Sequence, residues 1–363
     1  MTALIAATPV VLQMLADRHG HPAALLLDLG AGLGAMATGA ETAADAVAPP
    51  APPAHLAQPA LSSLPVPLLA ALAAAGMPCL YRADRAGEAA ATLVQAGWQA
   101  CDPALVQRID GPPQLPPAPG AQWLAGEWFM APPPKPVGAQ AASRALALKL
   151  VQLVSNDADT HEIEAVLRQD PTLSYHLLKL VNSLAIGTGA GAGRRVTSFS
   201  QAILILGRAH LRRWLNLMLF SARAGDHRSP MLLVRVSVRA RAMELLAHEA
   251  GLNKSQQEMA FMTGMFSLLG VLFGMTLADV LKPLTVSAAI GRALLDYDGE
   301  LGRLLTVVEL AERDDHAALA RALAALGVEG EHFNRLMVDA HVWMQSVLPV
   351  QAAPAAKAGG RDA

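Results

Sequence analysis

Uninterrupted helical patterning over more than half of the chain is the feature that most restricts its fold. From Ala141 to Leu348, apolar residues recur at steps of three and four, as in Ile203, Leu206 and Leu211, and no strand-like alternation occurs. About ten helices of ordinary length fit into this span. We therefore predict a mainly α protein whose larger part is an all-α bundle.

Polar residues mark where several of these helices begin. Asp159-x-x-Glu162 and Ser198-x-x-Gln201 are capping boxes, in which two side chains bond the free N–H groups of a helix start. Asp170-Pro171 and Ser229-Pro230 place a capping residue before a proline, which the first turn of a helix tolerates. These signals support helices rather than strands throughout this part.

The first third of the chain has a different pattern. Short apolar runs, "AALLLDLG", "GMPCLYRAD" and "GEWFMAPP", predict buried strands, and "GEAAATLVQAG" between them predicts a helix. This alternation favours a small α/β unit with a parallel sheet. Two Pro-rich segments leave room for only three or four strands, too few for a closed eight-stranded barrel.

Changes of composition divide the chain into four parts. Residues 1–130 form the α/β segment, and the Pro-rich stretch 131–140 is a semi-rigid linker. Residues 141–348 form the helical domain, and 349–363 are a disordered tail.

Composition also excludes several classes of protein. A formal charge of -2 argues against a wholesale nucleic-acid binder, and the two cysteines, Cys79 and Cys101, have no metal-binding spacing. The start of the chain lacks the basic region of a signal peptide, and charged residues interrupt the longest apolar runs. We expect a cytoplasmic protein that contacts no membrane.

Two neighbouring segments, "LRQDPTLSYHLLKLVNSLAIG" and "RRVTSFSQAILILGRAHLRRWLNLMLF", carry a family resemblance. They resemble the HDOD domain, an HD-related output domain of bacterial regulators, through Asp170, Pro171, Asn182, Ser183 and Gly207. The resemblance covers about residues 141–348. It implies an all-α bundle whose role in signal transduction is to bind other proteins, and it implies structural roles for these five residues.

The first part resembles a shortened EAL domain. "GMPCLYRADRAGEAAATLVQAGWQACDP" and "GAQWLAGEWFMAPP" are similar to its closing strands. EAL phosphodiesterases hold two divalent metals with carboxylates and a lysine at strand ends. Residues 1–135 contain one lysine, Lys135, and the spacing of Asp28, Asp84, Glu88 and Glu127 fits no such pattern. The resemblance therefore implies a degenerate domain that does not hydrolyse cyclic di-GMP.

The segment "GMFSLLGVLFGM" predicts the loss of a second metal site. Phosphohydrolases of the HD superfamily carry a G-x-x-H-D-x-G segment, whose His-Asp pair binds the metal. Here Gly264 and Gly270 keep the spacing, but Ser267 and Leu268 replace the pair. Neither side chain is a useful ligand for a divalent cation. We therefore predict no metal, no cofactor and no enzymatic activity.

Charge is distributed unevenly within the helical part. Residues 171–243 hold eleven Lys or Arg against one acidic residue, whereas 244–343 hold fourteen acidic residues against seven basic ones. The candidate interaction surface consists of Arg194, Arg195, Arg208, Arg212 and Arg213. Three interpretations stay open: the two halves pair inside one bundle, the basic face binds an acidic protein, or it binds nucleic acid or a cyclic dinucleotide.

Together these observations predict a non-catalytic regulatory protein within cyclic di-GMP-linked signalling. Its partners would be other signalling proteins, and a homodimer is compatible with the sequence. Cyclic di-GMP stays open as a ligand, and nucleic acid is the weaker expectation. The alternatives are binding of a cyclic dinucleotide or nucleic acid through the basic 171–243 region, and a residual phosphodiesterase or phosphohydrolase activity.

Overall fold

A computed structural model describes residues 9–28, 66–112, 117–133 and 226–347, apart from 88, 285 and 314. It also describes 146, 149, 150, 152, 153, 156, 158–167, 169, 213, 217 and 220. Within these residues, no helix has both the length and the apolar character needed to cross a membrane. The predicted tail and most of the predicted linker lie outside the described residues.

The N-terminal part is built on one six-stranded sheet. Across the sheet the strands follow the order β4-β3-β2-β1-β6-β5. β1 is antiparallel to both of its neighbours and the other pairs are parallel, so β2 to β6 point the same way. The strands are β1 (Val11–Ala16), β2 (Pro22–Asp28), β3 (Cys79–Arg82), β4 (Gln99–Cys101), β5 (Val106–Arg108) and β6 (Trp123–Ala125).

The sheet is mixed and has more strands than the sequence predicted. The sequence prediction lacked β1, which pairs with β2 through a tight turn. In that turn the Asp17 carboxylate accepts hydrogen bonds from the N–H groups of His19 and His21. A side chain that bonds its own backbone in this way lets an antiparallel strand form without a long connection.

The predicted strand "GEWFMAPP" is wrong. The strand ends at Ala125, and Trp128–Met130 form a short 3-10 turn instead. Gly126 has a positive φ of 93°, and a Cβ there would lie 2.4 Å from the carbonyl oxygen of Ile109. The chain therefore turns out of the sheet at this glycine, and Trp128 and Phe129 enter the helical core. An apolar run alone does not distinguish a buried strand from a buried turn.

The sheet curls, so that side chains from different strands meet on its inner face. Five of the six strands contribute fully buried residues to this small cluster, and β5 adds the partly buried Val106. The buried members are Leu15, Ala24, Leu26, Leu80, Cys101 and Ala125. On the outer face, α1 (Val66–Ala74) and α2 (Ala89–Gln95) pack against β2 and β3. Alternate residues of one strand thus serve two cores, as a pleated strand requires.

Nine further helices lie in the described part of the C-terminal region. They are α3 (Thr160–Leu167), α4 (Ser229–Glu249), α5 (Lys254–Phe266), α6 (Leu269–Phe273), α7 (Leu277–Leu281), α8 (Ala288–Asp296), α9 (Gly299–Glu312), α10 (His316–Leu326) and α11 (Gly330–Val347). Two begin where the sequence predicted: α3 directly follows Asp159, and α4 has Pro230 in its first turn. The cap of α4 is Arg228, one residue earlier than predicted.

One continuous core joins the sheet to the helices. Ala16, Leu124, Trp128 and Phe129 belong to the same buried cluster as the residues of α4, α5, α9 and α11. Polar contacts cross the same boundary: the N–H of Val10 donates to Asn334 Oδ1 at 2.7 Å, and that of Met77 to Gln345 Oε1 at 3.1 Å. The sheet is therefore held by direct packing against the helices. Both of these hydrogen bonds end on the last helix, α11.

Candidate functional site

The two residues that the resemblance places at the metal-binding pair, Ser267 and Leu268, lie at the end of α5. Ser267 is the C-cap of that helix, and Leu268 is buried between α5 and α6 with 1% of its surface exposed. The Ser267 hydroxyl donates to the carbonyl oxygen of Gly264 at 2.7 Å. The Ser267 hydroxyl oxygen in turn accepts a hydrogen bond from Arg239 Nη1 of α4 at 2.8 Å. An arginine therefore contacts the position where the resemblance places the metal ligands.

The retained glycine at the start of this segment has a packing role. A Cβ on Gly264 would lie 2.6 Å from the Cα and 2.9 Å from the nitrogen of Ala240, both backbone atoms of α4. Helices α4 and α5 can approach this closely because position 264 has no side chain. Gly264 is thus explained by helix packing, without any requirement for metal chemistry.

Arg239 is buried, with 4% of its surface exposed, and two carboxylates of α9 neutralise it. Its guanidinium forms ion pairs with Glu309, at 3.1 Å, and with Glu312. Burial lowers the pKa of Arg239, but the attraction of Glu312 and Glu309 outweighs burial and raises it overall. Burial likewise raises the pKa of Glu312, and the attraction of Arg239 and Arg235 reverses this, so its pKa is lowered. Arg239 and Glu312 are therefore both charged at neutral pH.

The ion pairs continue from this point to the sheet. Glu312 also bonds Arg235 Nη1 at 3.1 Å, and Arg235 Nη2 bonds Glu127 Oε1 at 2.8 Å, directly after β6. The Arg235 guanidinium lies 5.1 Å from the centre of the Phe129 ring, within cation–π range. At the other end, Arg313 pairs with Glu309 at 3.3 Å, and the Tyr297 hydroxyl donates to Glu309 at 3.1 Å.

These contacts define the ionic cluster, which contains three carboxylates and three guanidiniums and is therefore neutral as a whole. Its members are Glu127, Arg235, Arg239, Glu309, Glu312 and Arg313. Buried charges are tolerated only when each has a partner, so the buried members of the cluster depend on the charges that neutralise them. The cluster connects the sheet, α4, α9 and the end of α5.

A cleft opens beside the ionic cluster. It has a volume of about 130 Å³ and lies between β1, the turn after β6, and helices α4, α9 and α11. Arg235, Glu312 and Glu127 line it together with apolar side chains, and so does His341 of α11. Burial lowers the pKa of His341 to about 4, so its imidazole is neutral at pH 7.

Carboxylates at the strand ends of the sheet are paired with arginines. Asp84 bonds Arg82 at 2.7 Å, and Asp110 bonds Arg108 at 2.8 Å. The hydrogen bond from its arginine is the main cause that lowers the pKa of each of these aspartates. Among the described residues, no three His, Cys, Asp or Glu side chains are grouped so that they could hold a metal ion.

Arg213 is the one residue of the candidate interaction surface that the structure describes. It pairs with Glu244 at 2.7 Å and with Glu258, and its guanidinium lies 4.3 Å from the centre of the Phe261 ring. Its side chain is 20% exposed. For this residue, the internal pairing of basic and acidic halves is the arrangement observed.

The other predicted site residues lie outside the described part of the chain. They are Arg194, Arg195, Arg208 and Arg212 of the interaction surface, and Asp170, Pro171, Asn182, Ser183 and Gly207 of the family motif. Glu88 also lies outside it.

Sequence reasoning missed the ionic cluster. Arg235 and Arg239 are spaced by four residues within the apolar run "LLVRVSVRARAM", and Glu309 and Glu312 by three within "LLTVVELAE". Such spacings place each pair on one helix face. Charged residues on the face that also carries the apolar residues were the available signal for a buried ion-pair network.

Comparison with known proteins identifies the helical part. Residues 143–296 match the HDOD domain family, so the chain carries an HDOD domain over somewhat less than half of its length. The match includes Arg235, Arg239 and Ser267 and ends before α9. The ionic cluster therefore joins the HDOD domain to elements on both sides of it: Glu127 before the match, and Glu309, Glu312 and Arg313 after it.

Two curated relatives are similar to part of this chain. The chain is 28% identical over 204 residues to the protein named cyclic di-GMP phosphodiesterase CdgJ of Vibrio cholerae, covering 56% of this chain and 46% of that protein. It is 27% identical over 169 residues to the uncharacterized protein YuxH of Bacillus subtilis, covering 46% and 40%. The chain thus matches less than half the length of each relative. No solved structure matches it.

Proposed function

We propose that this protein is a non-catalytic signal-transduction protein whose HDOD domain binds other signalling proteins. The observation that carries the proposal is the contact between Arg239 and Ser267. At the position of the metal-binding pair, the helices hold a guanidinium and the carboxylates that neutralise it.

The chemistry of this donor set does not fit a divalent cation. A guanidinium has N–H donors and no lone pair for a metal, and it stays charged at any physiological pH. Glu309 and Glu312 could ligate a cation, but both are bonded to arginines, and a second positive charge would be repelled. Arg239 therefore supplies the positive charge of the site without the Lewis acidity of a metal.

The first domain supports the same conclusion. Parallel strands that neighbour one another in sequence order, β2-β3-β4 and β5-β6, follow the pattern of a (β/α) barrel. β4 and β5 do not pair, so the sheet curls without closing. At the carboxyl ends of the strands, where such folds carry catalysis, Asp84, Asp110 and Glu127 each pair with an arginine. A degenerate EAL-like domain accounts for this arrangement.

The proposed setting is cyclic di-GMP-linked signalling. The name of the Vibrio relative supports it, since that name specifies a cyclic di-GMP phosphodiesterase. Signal transmission would use the continuous core between the sheet and the helices. A ligand or partner shifts such a structure only if it binds one packing arrangement more tightly than another.

Incubation of the full chain with cyclic di-GMP and Mg²⁺ or Mn²⁺, followed by chromatographic separation of the nucleotides, tests the proposal. We expect intact nucleotide after long incubation at high protein concentration. Metal-dependent cleavage that a Glu127→Gln or Glu312→Gln variant abolishes would overturn it. An Arg321→Gln variant, changed on the exposed face of α10, is the control for preparation-borne activity.

A further inference from the structure

A short segment after the last strand of the sheet inserts into the helical part. It consists of residues 127–131, and we call it the plug. Its two aromatic residues, Trp128 and Phe129, have 0% and 1% of their surface exposed and belong to the core cluster of the helices. The N–H of Ala131 bonds back to the carbonyl oxygen of Trp128 at 3.3 Å, so the plug is a turn that closes on itself.

Trp128 lies between the sheet part and the start of helix α4. Its ring stacks on the ring of His227, with centroids 6.1 Å apart and 17° between the ring planes. From the sheet part, Gly20 approaches so closely that a Cβ there would lie 3.0 Å from the Trp128 ring. Phe129 meets the Trp128 ring edge to face, with 5.7 Å between centroids. Such aromatic pairs attract each other beyond the area that they bury.

Two arginines bond the two ends of the plug, and both lie within the HDOD match. Arg228, the cap of α4, donates through Nη1 to the carbonyl oxygen of Ala131. Arg235 pairs with the Glu127 carboxylate at 2.8 Å. The side chains of Glu127 and Arg235 are 34% and 16% exposed, so a competing carboxylate can reach this pair from solvent.

The plug is incompletely matched to its surroundings. Within the described residues, the buried Nε1–H of Trp128 has no hydrogen-bond partner, and neither has the buried hydroxyl of Ser229 in the first turn of α4. An unsatisfied buried polar group costs free energy, which is recovered when the group reaches water or a new partner. The cleft of about 130 Å³ also borders Phe129, so the packing beside the plug is not complete.

These features make the plug a segment that can leave the helices without unfolding them. It closes on itself, its charged contact is open to solvent, and part of its polar surface is unsatisfied. Segments with such properties open at a smaller free-energy cost than the whole fold does.

We infer that the plug is an intramolecular ligand of the HDOD domain, and that a partner peptide displaces it. The partner carries a carboxylate followed by two aromatic residues, as the plug does. Its carboxylate pairs with Arg235, and its aromatic rings take the places of Trp128 and Phe129. The inference rests on the proposed function, because it requires that the HDOD domain binds proteins.

A fluorescent copy of the plug tests the inference. The probe is the fluorescein-labelled peptide AGEWFMAPP, residues 125–133, titrated with the full chain and followed by fluorescence anisotropy. In a Trp128→Ala/Phe129→Ala variant the chain's own plug lacks its rings, so we expect saturable binding. The parent should bind at least tenfold more weakly, because an occupant on the same chain competes at an effective concentration in roughly the millimolar range. A peptide of the same composition in scrambled order is the matched control and should not bind.

A second variant weakens the plug at its solvent-accessible end. Glu127→Arg places a like charge beside Arg235 and should also raise the affinity for the probe at least tenfold over that of the parent. Arg321→Gln, changed on the exposed face of α10, should bind the probe as the parent does. Circular dichroism and a thermal melt of each variant show whether it is folded.

Absence of saturable probe binding to the folded variants would overturn the inference. Equal affinities of the parent and both variants would do so too, as would equal binding of the scrambled peptide. Unfolding of both variants would show that the plug is a structural element that cannot be displaced. Peptide binding needs neither nucleotide nor metal, so metal-dependent cleavage of cyclic di-GMP would overturn the proposed function and leave the peptide result unchanged.

Discussion

Replacing Arg239 by methionine should destabilise the protein far more than replacing an exposed arginine of the same cluster. Methionine keeps the length and apolar stem of the side chain but removes the charge. Glu312, whose side chain is 10% exposed, then keeps only Arg235 as a cationic partner, and Glu309 keeps only Arg313. Removing one partner of a buried ion pair typically costs 3–5 kcal/mol. Because both carboxylates keep one arginine, we expect a loss of about 3 kcal/mol.

Arg313→Met is the matched control, since Arg313 pairs with the same Glu309 but has a side chain that is 66% exposed. Its loss should be below about 1 kcal/mol, as for other exposed pairs. The measurement is the urea midpoint at pH 7.5, followed by circular dichroism and converted to free energy with a common m-value. A third variant, Arg239→Met with Glu312→Gln, should recover part of the loss because the unpaired carboxylate is gone.

The pH dependence provides a second readout. The pKa of Glu312 is lowered in the folded protein from its ordinary value of 4.5, so its contribution to stability is present above that pH and is lost as the pH falls. Without Arg239 this contribution is smaller, and the stability gap between parent and variant should narrow toward pH 4. Two results together would refute the electrostatic explanation. Arg239→Met would lose no more free energy of unfolding than Arg313→Met, and the difference in stability between the parent and Arg239→Met would not depend on pH.

Three further predictions concern single positions. Because the folded pKa of His341 is about 4, below its ordinary value of 6.5, the unfolded chain takes up a proton as the pH falls that the folded chain does not. The free energy of unfolding should therefore fall by about 3 kcal/mol between pH 7 and pH 4. In urea titrations, His341→Leu should remove this part of the fall, and His248→Gln should not. Gly264→Ala should lower the free energy of unfolding by at least ~2 kcal/mol because its Cβ would meet the backbone of α4. Gly291→Ala, whose Cβ would meet nothing within 4 Å, should raise the free energy of unfolding by up to ~1 kcal/mol. Equal effects of the two variants in thermal melts would contradict the packing role of Gly264. Arg213→Met should reduce stability without changing the salt dependence of partner binding, and a pull-down whose salt dependence changes would return Arg213 to the interaction surface.

Much of the fold could be predicted because local signals agree with it. The apolar periodicity and the capping residues of the helical part are read from neighbouring residues alone, and α3 and α4 begin next to the predicted caps. The strands β2 and β3 were predicted for the same reason, since each is an apolar run between turn residues. The strand assigned to "GEWFMAPP" was wrong because only the distant carbonyl of Ile109 shows why the chain must turn at Gly126.

The candidate site was predicted only in part. The positions of Ser267 and Leu268 followed from a motif of seven residues, so they could be located in the sequence. The ionic cluster joins residues as far apart as Glu127 and Arg235, which are 108 positions apart, and no local pattern connects them. Helical spacing showed that Arg235 and Arg239 share a face of α4, but only the packing of α9 and of the sheet shows which carboxylates they meet.

Under the proposed function, the guanidinium of Arg239 takes the place of a metal ion. The most direct test is Mn²⁺ binding to the full chain, measured as the loss of the free-ion signal in electron paramagnetic resonance. We expect no stoichiometric site tighter than the millimolar range, in the parent and in a Glu309→Gln/Glu312→Gln variant alike. A single micromolar site in the parent that this double variant lacks would contradict it.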